Sequence, residues 1–142
     1  YGFSGKNVLL ALLLIVEGIG IIFFGLTEQL GLAIFLMFLF GMSLKMANGA
    51  TYSLVPFINP KAVGSVAGIV GAGGNIGAML IAFLFKAKAV KVTKDVIDTN
   101  GLSKTKELID YTDAFYTLGI IIFITGIIVL AVKYAIKTKD SE

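Results

Sequence analysis

One hydrophobic run constrains this chain more than any other feature. Val63–Phe85 is long and apolar enough to cross a bilayer, yet its centre, Val70–Ala78, reads V-G-A-G-G-N-I-G-A. In a soluble helix each glycine would cost about 1 kcal/mol against alanine. In a membrane, small residues let two helices come into close contact. At roughly 100° per residue, Gly64, Ala67, Gly68, Gly71, Asn75, Ala78 and Ala82 share one arc. Val66, Ile69, Val70, Ile76, Leu80, Phe83 and Leu84 lie on the other side. The predicted helix therefore has a smooth face and a bulky one, with Asn75 near the middle of the smooth face. An amide pointed at lipid would leave polar groups unpaired. The smooth face is expected to look at protein or at a cavity.

The rest of the chain agrees with a membrane reading. Hydrophobic residues make up 57% and charged residues 15% of 142, with a mean hydropathy of +0.93; soluble domains carry closer to about 25% charged residues. Four spans are predicted, at Val8–Leu26, Leu30–Val55, Lys61–Phe85 and Ala114–Ala135, with Lys86–Asp113 as an extramembrane loop. The fold class is an all-α membrane protein of four transmembrane helices. A signal peptide competes for the first run, but that run exceeds the usual h-region of about 7–15 residues and no small-x-small cleavage site follows. Thr27–Gln29 is a turn short enough to make the first two spans antiparallel neighbours. Pro56 is expected to end the second span, Asn59-Pro60 to start the third with asparagine as cap, and Asp113 to cap the fourth. In the loop, Asn100-Gly101 is the clearest turn signal, and Val90, Val92 and Val96 could support a ribbon or an amphipathic edge. The chain begins at Tyr1 without an initiator methionine, and is expected to be a piece of something longer.

Several chemistries are excluded. The sequence has no histidine, cysteine or tryptophan, and all twelve basic residues are lysine. No imidazole is present to activate Ser4, Ser43, Ser53, Ser65 or Ser103, and no Cys/His metal site can form. The glycine run follows no strand and precedes no phosphate-binding lysine at motif spacing, so it is neither a dinucleotide loop nor a P-loop. The lysines are scattered over connections and ends rather than interleaved with aromatics, which argues against a nucleic-acid partner. No enzyme, cofactor or metal is predicted.

Two intramembrane charges remain. Glu17 lies about halfway along the first span, and Lys45 lies in the half of the second that leads to Pro56. Counting ~1.5 Å per residue from the shared turn puts them about one helical turn apart in depth. They are either a coupling carboxylate and an anion-attracting lysine in a transport path, or an ion pair that neutralises itself between adjacent helices. Gly41, Lys45, Asn48 and Tyr52 share one face of the second span. Gly64-x-x-x-Gly68 suits helix packing as readily as a ligand path.

The stretch N-G-A-T-Y-S-L-V-P-F at Asn48–Phe57, followed by G-S-V-A-G-I-V-G-A-G-G-N-I-G-A at Gly64–Ala78, resembles the nitrate/nitrite porter family of the major facilitator superfamily. Its Gly-Ala-Gly-Gly-Asn-x-Gly core is similar to that family's second nitrate signature, on the eleventh helix. The four spans would then correspond to helices nine to twelve of a twelve-helix transporter. The opening Tyr1–Lys6 is similar to the tail of the basic cytoplasmic loop before helix nine. The resemblance implies nitrate or nitrite transport by alternating access in the plasma (inner) membrane. Both ends of the segment would be cytoplasmic and the long loop outside, an orientation that lysine placement alone leaves open. It also implies that Gly71, Gly73, Gly74, Asn75 and Gly77 flank the anion path, with Asn48, Thr51 and Tyr52 facing the cavity. The family grips its anion with two arginines on helices two and eight, and this chain has none. The implied partners are the nitrate or nitrite anion, the lipid bilayer and the missing N-terminal helices. Two other readings stand beside it: a different major facilitator anion carrier, and a self-contained four-helix scaffold that packs through its glycine face.

Overall fold

The computed structural model describes residues 3–97 and 103–139. Four helices follow one another as α1 (Phe3–Leu26), α2 (Leu30–Ile58), α3 (Val63–Lys88) and α4 (Thr112–Lys139). Each contains a stretch long and apolar enough to cross a membrane. Between α3 and α4 the chain forms an antiparallel ribbon, β1 (Val90–Ile97) with β2 (Ser103–Asp110), in a register that sets Val90 opposite Asp110 and Ile97 opposite Ser103. The all-α reading thus holds for the spans, and the connection resolves into the ribbon rather than an amphipathic edge. Its expected Asn100-Gly101 turn lies outside the described residues, as do Tyr1 and Gly2.

The surface is that of a protein in an apolar medium. Leu30 is 76% exposed, Ile69 73% and Phe38 67%, among many other large hydrophobic side chains spread over all four helices. A water-soluble monomer does not present apolar surface so continuously. Hydroxyls in the spans bond back to their own helices: Ser43 Oγ to Leu39 O at 3.1 Å, Thr51 Oγ1 to Ala47 O at 2.9 Å and Ser53 Oγ to Ala50 O at 2.7 Å. Such local bonds satisfy hydroxyl donors where no water reaches.

Packing is centred on α1, which lies most extensively against α4 and next against α2. The α1–α4 seam is built from glycine. A Cβ on Gly18 would sit 2.7 Å from Phe123 N and 2.8 Å from Gly119 O; one on Gly119 would meet Gly18 O at 2.8 Å, and one on Gly126 would meet Ala11 O at 3.1 Å. The two backbones therefore touch, and Ala11 between them is fully buried. At the ribbon end, aromatic rings join all four helices. Phe24 of α1 meets Phe40 of α2 at 5.4 Å and Phe115 of α4 at 5.0 Å, and Phe85 of α3 meets Phe115 at 4.9 Å, all edge to face.

Helix boundaries differ from the sequence expectations in instructive ways. Pro56 does not end α2; it sits within the last turn, and the helix continues to Ile58. Its missing N–H forfeits only the bond to the carbonyl four residues back, and the adjacent Ser53 carbonyl accepts a bond from Lys6 Nζ at 3.1 Å. Asn59 does not cap α3. Its Oδ1 accepts from Lys61 N at 3.1 Å and its carbonyl from Ala62 N at 3.2 Å, which turns the chain so that α3 starts at Val63. The polar start of α4 is set by Asp110, not Asp113: Asp110 Oδ1 accepts from Thr112 N at 2.8 Å and Thr112 Oγ1 at 2.6 Å. These two bonds, aided by the charge of Lys94, hold the exposed Asp110 carboxyl below its usual range. Asp113 lies in the first turn, where a negative charge suits the helix dipole.

Candidate functional site: a polar groove and an open glycine face

The expected site residues separate into two places. Lys45, Asn48 and Thr51 descend one side of α2 and, with Leu10, Leu14, Glu17, Leu44 and Ala47, line a groove of about 380 Å³ between α1 and α2. Glu17 is 4% exposed, and its Oε2 has no hydrogen-bond partner. The expected Glu17–Lys45 ion pair is not closed: the two side chains share the groove, yet among the described residues the only ion pair within 4 Å is Lys91–Glu107 on the ribbon. Lys45 is itself exposed, since a long side chain gains more by reaching outward than by burying an ammonium.

Tyr52 lies on the same face of α2 as Lys45 and Asn48, and its hydroxyl reaches α3. A Cβ on Gly71 would lie 3.4 Å from the Tyr52 hydroxyl oxygen. Beyond this approach the glycine helix is bare. A Cβ on Gly64, Gly68, Gly73, Gly74 or Gly77 would meet nothing within 4 Å, and Asn75 is exposed. Among the described residues, none packs against Gly64 or Gly68. No residue of α3 is buried. The half-buried positions, Val66, Ala67, Val70, Gly71, Gly77, Leu84 and Phe85, show why: α3 leans on its neighbours along the border between its bulky and smooth faces, so Gly64, Gly68 and Asn75 are rotated away from the bundle. On that leaning side, Gly77, Leu80, Ile81 and Leu84 face Leu118, Ile121 and Ile122 of α4 across an apolar groove of about 430 Å³.

Chemically, the open face offers backbone at close range and one amide that can donate and accept. The α1–α2 groove offers one carboxylate, one ammonium, an amide and a hydroxyl oxygen. Among the described residues no cluster of His, Cys, Asp or Glu could hold a metal ion. Sequence reasoning overlooked the seam, although small residues at Ala11, Gly18 and Gly25, and at Gly119 and Gly126, each seven apart, carried the signal.

The chain is similar to curated nitrate transporters over part of its length. A stretch of 61 residues is 39% identical to high affinity nitrate transporter 2.5 of Arabidopsis thaliana, covering 43% of this chain and 12% of that protein. Over 84 residues it is 32% identical to high affinity nitrate transporter 2.7 of the same plant, covering 59% and 17%. Over 81 residues it is 33% identical to nitrate transporter 2.2 of Chlamydomonas reinhardtii, covering 56% and 16%. The matched stretch is thus 17% or less of the length of these relatives. No protein-family model matches the chain, and no solved structure does. The similarities bear out the resemblance to the nitrate/nitrite porter family carried by the two motifs. They are to transporters, not to enzymes, and with the four apolar helices they make this a multi-pass membrane protein.

Proposed function

We propose that this chain is the C-terminal part of a major facilitator transporter that moves nitrate and nitrite across the plasma (inner) membrane by alternating access. The observation that carries the reading is the open face of α3. The signature residues Gly73, Gly74 and Asn75 lie on a helix that none of the other three covers, while the relatives bearing the similarity are nitrate transporters of much greater length. A helix surface without side chains can slide against a facing bundle at little steric cost, and a flat anion can pass close to its backbone. In this reading the face meets the N-terminal helices. Those helices also supply the arginines that the resemblance implies and that this sequence lacks. Lys45 does not replace them, because a point charge does not reproduce a bidentate planar fork.

Both ends of the segment lie in the cytoplasm in this proposal, and the β1–β2 ribbon stands outside. This segment contains no cysteine, so in the complete protein with any other cysteines replaced a single introduced thiol reports the orientation. A single Thr93→Cys variant in intact cells should react with a membrane-impermeant maleimide, and a Thr27→Cys variant at the same side of the bundle should react as well. Protection of both until the cells are opened overturns the orientation. For the transport itself, counterflow in vesicles holding the complete protein should show exchange of labelled nitrate against nitrate or nitrite and none against formate. Exchange against formate instead would point to another anion carrier, and no flux of any anion would favour a scaffold.

A further inference from the structure

Glu17 is the charge that the transport reading leaves without work. It is buried on α1, its Oε2 lacks a donor, and it lines the α1–α2 groove. Among the described residues no fixed cation faces it. On α2 the sole charge is Lys45, exposed and not within ion-pair distance. On α4, the other helix packed against α1, residues 112–132 carry one charge, Asp113, close to where Thr112 O approaches Gly25. That is about 12 Å along α1 from Glu17 at ~1.5 Å per residue. Lys6, on the same helix, is engaged with the Ser53 carbonyl at 3.1 Å and lies 4.3 Å from the centre of the Phe57 ring.

A carboxylate ion with an oxygen that nothing donates to is an expensive object inside a membrane. A proton removes the charge at once. We propose that Glu17 is a proton-binding site within the membrane, loaded through the α1–α2 groove, and that Lys45 swings onto the carboxylate when the proton leaves. Loading forms one O–H bond and leaves Lys45 free; release returns the proton to water in the groove and closes the ion pair. The groove thereby gains or loses one unit of charge in each cycle, which makes its occupancy sensitive to pH and to membrane voltage. Asn48 and Thr51, further along the same groove, supply the polar atoms that a water needs to carry the proton in.

The proposal concerns proton binding and stands apart from whether nitrate is the cargo. Infrared difference spectra of the purified full-length protein in lipid nanodiscs, taken across pH, read it directly. The wild type should show a protonated-carboxyl band at neutral pH that disappears in alkali. Glu17→Gln should lose that band, while Glu17→Asp should retain one at a shifted frequency, which also guards against a variant that fails to fold. Lys45→Met should move the disappearance to higher pH, because the cation that favours the ionised form is gone. Absence of the band in the wild type, its persistence in Glu17→Gln, or an unchanged profile in Lys45→Met overturns the proposal. Counterflow on the same preparations separates the two readings: a Glu17 band without anion flux sinks only the transport reading, and flux without the band sinks only this one.

Discussion

Two sets of glycines in this molecule do opposite things. Along the α1–α4 seam, Gly18, Gly119 and Gly126 are buried, and a single added carbon would strike backbone on the opposing helix. Along α3, Gly64, Gly68, Gly73 and Gly74 stand in open space. The seam is sparse in glycine and fully used; α3 is dense in glycine and barely touched by its neighbours. Density of small residues therefore does not say where a chain packs on itself. It says where another surface can come close, and whether that surface belongs to the same four helices is a separate matter.

The contrast can be broken most forcefully at the seam. Gly119→Leu should prevent α1 and α4 from closing, with loss of folded protein in detergent as read by size-exclusion chromatography. Gly18→Ala is the milder form, expected to cost about 1–3 kcal/mol as an overpacked site, because Phe123 N and Gly119 O cannot step aside as a flexible side chain would. A normal thermal melt for Gly18→Ala would show that the seam is looser than described.

On α3 the expected effect is on function and not on stability. Gly74→Leu or Asn75→Ala in the complete protein should abolish anion uptake while membrane insertion and melting temperature stay at wild-type values. Wild-type flux from both would mean that the face is passive. Gly73→Ala sharpens the comparison further: nothing among the described residues lies within 4 Å of the added Cβ, so a thermal melt should show no loss of stability, unlike Gly18→Ala.

The smallest effect belongs to the entry into α4. Asp110 is held below its usual range by bonds that exist only in the folded chain. Its contribution is therefore present at neutral pH and above, and is lost as pH falls through the folded-state value. Asp110→Ala should weaken amide protection in the first turn of α4, by hydrogen exchange, at neutral pH and no longer in strong acid. Equal protection at both would remove Asp110 from that role.

Much of this was legible from residues alone. The four spans, the short Thr27–Gln29 turn and the two-faced character of α3 follow from hydropathy and period, which are local properties. What escaped was decided between elements. Pro56 was tolerated because it fell in a final turn whose neighbouring carbonyl another helix could reach. The cap of α4 was Asp110 because the ribbon delivers the chain from that side, and Val92 of β1 found Leu108 on β2 only once the register was set. Glu17 and Lys45 line one groove between α1 and α2, yet whether they meet depends on a side-chain reach that spacing does not determine. The α3 face illustrates the same limit: its bareness could be read, but not the direction in which α3 would lean.

The ring chain at the ribbon end has a mechanical consequence. Phe85 fastens one end of α3 to Phe115 and, at 5.8 Å, to Tyr111, while the tight bend at Asn59–Ala62 fastens the other. Between these anchors its chief support is the edge contact near Tyr52 and Gly71. Within these four helices α3 is thus held chiefly at its two ends, and the length between them is left free for a facing surface to seat against.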